Sequence, residues 1–129
     1  MLLPDVASQV SLIEVVRITG RAPVYASERS EAVVGEDLAI WGAEQVRQVL
    51  NLVTDLPAGE QYRCFTPGYG IRAHSSAELL FEIAFCFRCH GALLAGPGVP
   101  SGLRGIQSFD PDSPAGRELL DRFRACEEG

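Results

Sequence analysis

Lysine is absent from this chain, so all 11 basic side chains are arginines. They are scattered without a basic run, and the 17 acidic residues outnumber them, which leaves a net charge of −6. A surface of this sign disfavours contact with nucleic acid and with anionic lipid. The composition therefore predicts no nucleic-acid partner and no membrane partner, and a protein partner is the remaining macromolecular candidate.

Long apolar runs are lacking as well. The longest one, Ile83 to Phe87, has the size of a strand, whereas a membrane-spanning helix needs about 18 apolar residues. The start of the chain, Met1 to Asp5, lacks the basic residues and the apolar core of a secretory signal. We therefore expect a cytoplasmic protein, in which cysteines are free, bound to metal or transiently redox-active.

Common enzyme signatures are also missing. The sequence contains no phosphate-binding loop, no nucleophile elbow and no dinucleotide fingerprint. Acidic residues around Asp110 and Asp112 precede a predicted helix and indicate capping of that helix more than acid–base chemistry. The sequence leans towards a protein that is not an enzyme.

The residues that are present are those of one folded domain. The chain has 129 residues, of which 47% are hydrophobic and 22% are charged. These values are typical of a globular domain with its own core, and no internal repeat or linker divides the chain. We expect a single domain over residues 1–129.

The periodicity predicts an α+β fold, an antiparallel sheet of about four to five strands with two helices packed on one face. Apolar residues at helical spacing predict a first helix over Asp37–Asp55, with Asp37 as its N-cap. Ser113 as N-cap and Pro114 at the first helical position predict the second. The remaining predictions are a strand over Ser11–Thr19, a loop over Gly91–Gly105 and a short edge strand over Ile106–Phe109.

Residues 61–89 are predicted to form antiparallel strands. The strands are Gln61–Phe65, Tyr69–His74 and Leu79–Arg88, and side chains alternate between the two faces of each strand. In the last strand the odd-numbered positions are almost all large and apolar and should face the core, while the other face should be half exposed. A two-residue turn at Ser75-Ser76 would place Cys64 opposite Phe87, with Cys89 as a diagonal neighbour.

The run Cys86-Phe87-Arg88-Cys89-His90 is the most informative motif. Its Cys-x-x-Cys-His spacing is found in covalent haem attachment, in metal sites and in redox dithiols. A closed zinc site needs about four ligands, for which Cys64, Cys86, Cys89 and His90 are the candidates. His74 would lie at the far end of the hairpin as a solvated histidine, so it is not among them.

The other interpretations of the motif remain open. A c-type haem would use Cys86 and Cys89 as thioethers and His90 as axial ligand, but such attachment usually follows export. A redox dithiol usually has its thiolate at a helix N-terminus, and no helix is predicted after Cys89. Buried cysteines also pack as small hydrophobic residues, which is the simplest interpretation for these three and for Cys126. The expected cofactor is therefore none or zinc.

Two segments carry a resemblance to a family. The first is Gly59-Glu60-Gln61-Tyr62-Arg63-Cys64-Phe65-Thr66-Pro67-Gly68-Tyr69-Gly70-Ile71-Arg72, and the second runs from Leu79 to Cys89. Together they resemble a group of small uncharacterised bacterial proteins with an Arg-Cys-x-x-Pro-x-Tyr/Phe-Gly element followed by a strand that ends in Cys-aromatic-x-Cys. The residue after the second cysteine is often Asn in that group. The resemblance implies that Cys64, Cys86 and Cys89 belong to one element and that His90 is incidental, and it implies no activity.

The leading hypothesis is a small cytoplasmic binding or interaction domain whose Cys64, Cys86 and Cys89 cluster is structural or holds zinc. The alternative is a thiol- or metal-dependent enzyme or accessory factor that uses the same cysteines. A c-type haem protein ranks third. The substrate or partner and the oligomeric state are not specified by the sequence.

Overall fold

The architecture is that of a computed structural model, which describes residues 1–19, 33–60 and 65–128. Its described part contains a short 3-10 helix at Asp5–Gln9, six strands and two α-helices. In chain order these are β1 (Leu12–Ile18), β2 (Gly35–Trp41), α1 (Ala43–Asp55), β3 (Tyr69–His74), β4 (Leu79–Cys86), β5 (Gly91–Ala95), β6 (Gly105–Ser108) and α2 (Pro114–Glu128).

The six strands form one antiparallel sheet in the order β2-β1-β3-β4-β5-β6. The predicted fold class, α+β with an antiparallel sheet and two helices, is confirmed, but six strands replace the four to five expected. β5 was predicted to be loop. Its sequence, Gly-Ala-Leu-Leu-Ala, is buried at every position, so it shows no alternation and has no β-branched residue to signal a strand.

The first predicted helix begins too early. Asp37 and Leu38 lie in β2, and Trp41 ends that strand opposite Ile13 of β1, so the expectation that Asp37 caps the helix was wrong. The helix begins only at Ala43, after the turn at Gly42. Leu38 and Trp41 happen to lie at helical spacing from the apolar residues of α1, which extended the periodicity backwards into the strand.

Several other elements form at the positions that the sequence predicts. β1, β3 and the edge strand β6 form where predicted, and α2 begins at Pro114. Ser113 acts as the N-cap of α2, because its Oγ accepts a hydrogen bond from the Gly116 N–H at 3.1 Å. The strand predicted over Gln61–Phe65 lies largely outside the described residues.

The main core lies between one sheet face and the two helices. Three of the four odd-numbered residues of β4, Phe81, Ile83 and Phe85, are fully buried in it, which confirms the predicted core face, and Leu79 at the start of the strand is half-buried. From the helices, Val49 and Phe123 pack in the same cluster. Aromatic residues pack around Phe123, whose ring is stacked on that of Tyr69 at a centroid distance of 5.0 Å and tilted against that of Phe85 at 5.6 Å.

The opposite sheet face is buried too, against the expectation that it is half exposed. Leu80, Glu82, Ala84 and Cys86 of β4 are at most 4% exposed. A second apolar cluster, which includes Ala84 and Val33, covers this face. Val33, just before β2, therefore packs on this face of the sheet, which a strand pattern alone does not reveal.

The register of the β3–β4 hairpin differs from the predicted one. Tyr69 pairs with Phe85 and Ala73 with Phe81, so the turn is longer than Ser75-Ser76, and a bulge lies next to His74. The predicted pairing of Cys64 with Phe87 rested on the shorter turn. Cys64 itself lies outside the described residues. No helix in the described part of the chain combines the length and apolarity that a membrane span requires.

Candidate functional site

The Cys-x-x-Cys motif forms the turn between β4 and β5. Cys86 ends β4 and pairs with Gly91, so residues 87–90 form a four-residue turn. Cys86 and Cys89 are joined by a disulfide bond across this turn, with their Cα atoms 5.2 Å apart. Their side chains are only 1% and 4% exposed. The pair therefore closes the turn from its buried side.

Backbone N–H groups point at both sulfurs. The Cys89 N–H donates to Cys86 Sγ at 3.1 Å, and the Thr66 N–H donates to Cys89 Sγ at 3.3 Å. Such donors stabilise negative charge on sulfur, so the same turn would stabilise thiolates after reduction of the bond. Thr66 also places the segment before β3 against the turn.

The four predicted metal ligands are brought together only in part. Cys86 and Cys89 are adjacent in space, and His90 follows them in the turn, whereas Cys64 lies outside the described residues. Among the residues that the structure does describe, no three His, Cys, Asp or Glu side chains are grouped as metal ligands. A zinc site at this turn stays a prediction.

His90 has a backbone conformation that few residues adopt. Its φ is 57°, in the left-handed region, where Asn, Asp and His are enriched among non-glycine residues. Its carbonyl accepts a hydrogen bond from the Phe109 N–H at 3.0 Å, which ties the turn to the segment before α2. The conformation explains why a Cys-x-x-Cys-Asn sequence would suit the same turn.

A cleft of about 450 Å³ lies beside the turn. Its walls come from the turn, from the segment before β3 and from α2 with the residues that precede it. The lining comprises the side chains or backbone of Thr66, Gly68, Tyr69, Phe87, Arg88, His90, Pro111, Asp112, Arg117, Leu120 and Arg124. Cys86 and Cys89 are buried and are not part of this lining.

The cleft has a predominantly positive rim. Among the described residues of the lining, Arg88, Arg117 and Arg124 are exposed, and Asp112 is the one acidic residue. Burial and a hydrogen bond to Glu127 raise the pKa of the Tyr69 hydroxyl, so this group stays protonated at neutral pH. The hydroxyl donates to Glu127 Oε2 at 2.8 Å. The cleft thus combines arginines with a neutral aromatic wall.

A charged network on the opposite sheet face was missed by sequence reasoning. Arg72 of β3 lies at its centre, with its Nε 3.3 Å from Glu82 Oε1 of β4. Its Nη1 lies 3.9 Å from Glu14 Oε2 of β1 and 3.6 Å from Asp37 Oδ1 of β2. Glu82 is 2% exposed, so the network reaches from the buried sheet to its surface.

The network also includes His74 and the backbone of Val33. His74 Nε2 lies 2.5 Å from Glu14 Oε1, so His74 is half-buried and paired, unlike the solvated turn histidine predicted. Arg72 Nη2 donates to the Val33 carbonyl at 2.6 Å. The one sequence signal was Glu82 itself, a carboxylate in the middle of the most apolar strand, which required a buried partner.

Cys126 has a separate environment from the other cysteines. It lies on α2, half-buried, and packs against the main core as predicted. Burial raises the pKa of its thiol, and a hydrogen bond with Trp41 opposes this effect. Cys126 is therefore a packing residue with low thiolate content.

Comparison of the chain with protein-family models, with curated proteins and with solved structures found no match.

Proposed function

We propose that the protein is a small binding domain whose ligand site is the cleft beside the Cys86–Cys89 turn, and that this cysteine pair is structural. One observation carries the proposal. Phe87, Arg88 and His90 of the turn line the cleft, whereas the two cysteines are buried and are not among its lining residues. A ligand in the cleft meets the side chains that the cysteines position, and it does not meet the cysteines.

The structural role follows from what the disulfide closes. A cross-link over a loop this short lowers the entropy of the unfolded chain and stabilises the fold by roughly 2 kcal/mol. It also holds Arg88 in the wall of the cleft, and the hydrogen bond from the Thr66 N–H to Cys89 Sγ joins the opposite wall to the same turn. Two walls of the cleft thus depend on one buried bond.

Zinc binding by the reduced turn is the second candidate. The N–H donors to both sulfurs support it, because they would stabilise the thiolates that zinc requires. Cys64, two residues before Thr66 in the sequence, and His90 would complete the ligand set. Disulfide and zinc exclude each other, because a sulfur in a disulfide cannot be a thiolate ligand. A haem on Cys86 and Cys89 would likewise need both sulfurs.

Thiol and metal analysis of protein purified without chelator or reductant separates these states. A structural disulfide predicts two reactive thiols among the four cysteines after unfolding, no metal, and four thiols after reduction. Zinc predicts one equivalent of metal, which C86S removes and the control C126S retains. A pyridine haemochrome spectrum tests for haem in the same sample.

The binding role is tested by a fragment screen monitored by 1H–15N NMR, with neutral and charged fragments in equal number. We expect chemical-shift changes that cluster at residues 87–90 and 117–124. If fragments change the chemical shifts of other regions only, or if no fragment changes those of the cleft residues, the cleft is not a binding site. C86S/C89S, checked for folding by circular dichroism, should bind the cleft fragments more weakly than C126S.

A further inference from the structure

The arginines of the cleft come from two separate parts of the chain. Arg88 belongs to the Cys86–Cys89 turn, whereas Arg117 and Arg124 lie on α2, and Asp112 is the acidic residue of the lining. The whole chain carries a net charge of −6. A locally positive cleft on an acidic protein focuses attraction for anions into that cleft, while the surrounding surface repels polyanions.

The cleft arginines differ from other arginines of the chain in their pairing. Within the described residues, no carboxylate forms an ion pair with Arg88, Arg117 or Arg124. On the same helix, Arg122 lies 3.6 Å from Glu118 Oε2 and donates to Gln48 at 3.0 Å. The guanidinium groups at the cleft therefore keep their donors available for an oxyanion, which they bind as a planar fork.

The walls between these arginines are apolar and held in place. Leu120 lies between Arg117 and Arg124 on one face of α2, at spacings of three and four residues. Tyr69 and Phe87 form the opposite walls, and both rings pack against Phe123 of the core, at centroid distances of 5.0 and 6.1 Å. Such walls offer apolar surface to the body of a ligand, and the arginines offer hydrogen-bond donors to its charged group.

We infer that the cleft binds a small organic anion, a phosphate or carboxylate on an aromatic or similarly flat apolar body. The inference rests on the proposed binding function and names its ligand class. The cleft volume of about 450 Å³ lies in the range of small-molecule sites, which are usually apolar with a few placed polar groups. Three arginines from two elements supply those groups here.

The inference is tested with three probes of matched shape: phenyl phosphate, benzoate and its neutral isostere benzamide. NMR titrations at low salt should show that both anions shift the cleft residues, with benzamide binding at least about tenfold more weakly. R117Q/R124Q should weaken phenyl phosphate binding by about tenfold or more, and R88Q should weaken it less. The control R122Q, on the same helix but paired outside the cleft, should bind within about twofold of the wild type.

Each other outcome has a definite meaning, provided that circular dichroism shows the variants to be folded. If benzamide binds the cleft as tightly as benzoate, the anion inference is wrong while the binding function stands. If inorganic phosphate binds as tightly as phenyl phosphate, the apolar walls contribute nothing and the ligand class is wrong. If no probe and no neutral fragment shifts the cleft residues, both the inference and the proposed function fail.

Discussion

The ion pair between Arg72 and Glu82 yields the sharpest prediction about stability. Glu82 is 2% exposed, and the Arg72 side chain is 21% exposed. Replacing Arg72 with Met keeps most of the apolar stem but removes the cation 3.3 Å from the buried carboxylate. Removal of one partner from a buried pair costs about 3–5 kcal/mol, because the other charge stays buried and loses the attraction of that partner.

The other contacts of Arg72 contribute less to this total. The lost hydrogen bond to the Val33 carbonyl is worth about 1 kcal/mol, and we count it as part of that total. The ion pair with Asp37, whose side chain is 71% exposed, adds at most about 1 kcal/mol because solvent screens it. We therefore expect R72M to lower the free energy of unfolding by about 3–5 kcal/mol.

The reciprocal change should be much milder. E82Q preserves the shape and removes the buried charge, while Arg72 keeps Glu14, Asp37 and the Val33 carbonyl as acceptors. We expect a loss of about 1 kcal/mol. The double variant R72M/E82M replaces the pair by apolar side chains and should lie within about 2 kcal/mol of the wild type.

Urea unfolding followed by tryptophan fluorescence measures these differences. The single tryptophan, Trp41, is 6% exposed in the main core and reports on global unfolding. Comparable m-values across the set would show that the variants unfold from equally compact states. Equal losses for R72M and E82Q, or a double variant as unstable as R72M, would refute the argument that Arg72 compensates a buried carboxylate.

Three further predictions concern single side chains. H90V should lower the free energy of unfolding by about 1–2 kcal/mol, because a β-branched residue tolerates a φ of 57° poorly. The control H90N should match the wild type in the same urea assay. S113A should cost about 1 kcal/mol by removing the N-cap of α2, whereas S113T, which retains a hydroxyl, should lose less. In the C64S variant, Cys126 should react with Ellman's reagent at neutral pH more slowly when the chain is folded than when it is unfolded in urea. Equal rates in the two states would contradict the raised pKa of the Cys126 thiol. The Cys126 thiol keeps its proton to a higher pH in the folded chain than in the unfolded chain. Its contribution to the free energy of unfolding is therefore present below the ordinary thiol pKa of 9.0 and is lost as the pH rises above that value. The C126S variant should lack this pH dependence.

The sequence by itself determined the fold class and the elements with strong local signals. β4 was predictable because alternating large side chains mark a core face, and α2 was predictable because Ser113 and Pro114 define a helix start through local hydrogen bonding and backbone geometry. The proximity of Cys86 and Cys89 was also implied, since only two residues lie between them in the sequence. Each of these properties depends on residues close together in the chain.

Tertiary structure decided the rest. β2 and β5 exist because neighbouring strands complete their hydrogen bonds, although their sequences resemble a helix start and a loop. The cleft depends on α2 lying beside the β4–β5 turn, which brings Arg88 close to Arg117 across about 30 positions of sequence. Arg72 and Glu82 meet only in the observed register, which the length of the turn determined. Contacts between distant residues depend on how whole elements pack and on register, and a one-residue shift moves every side chain of a strand to the other face.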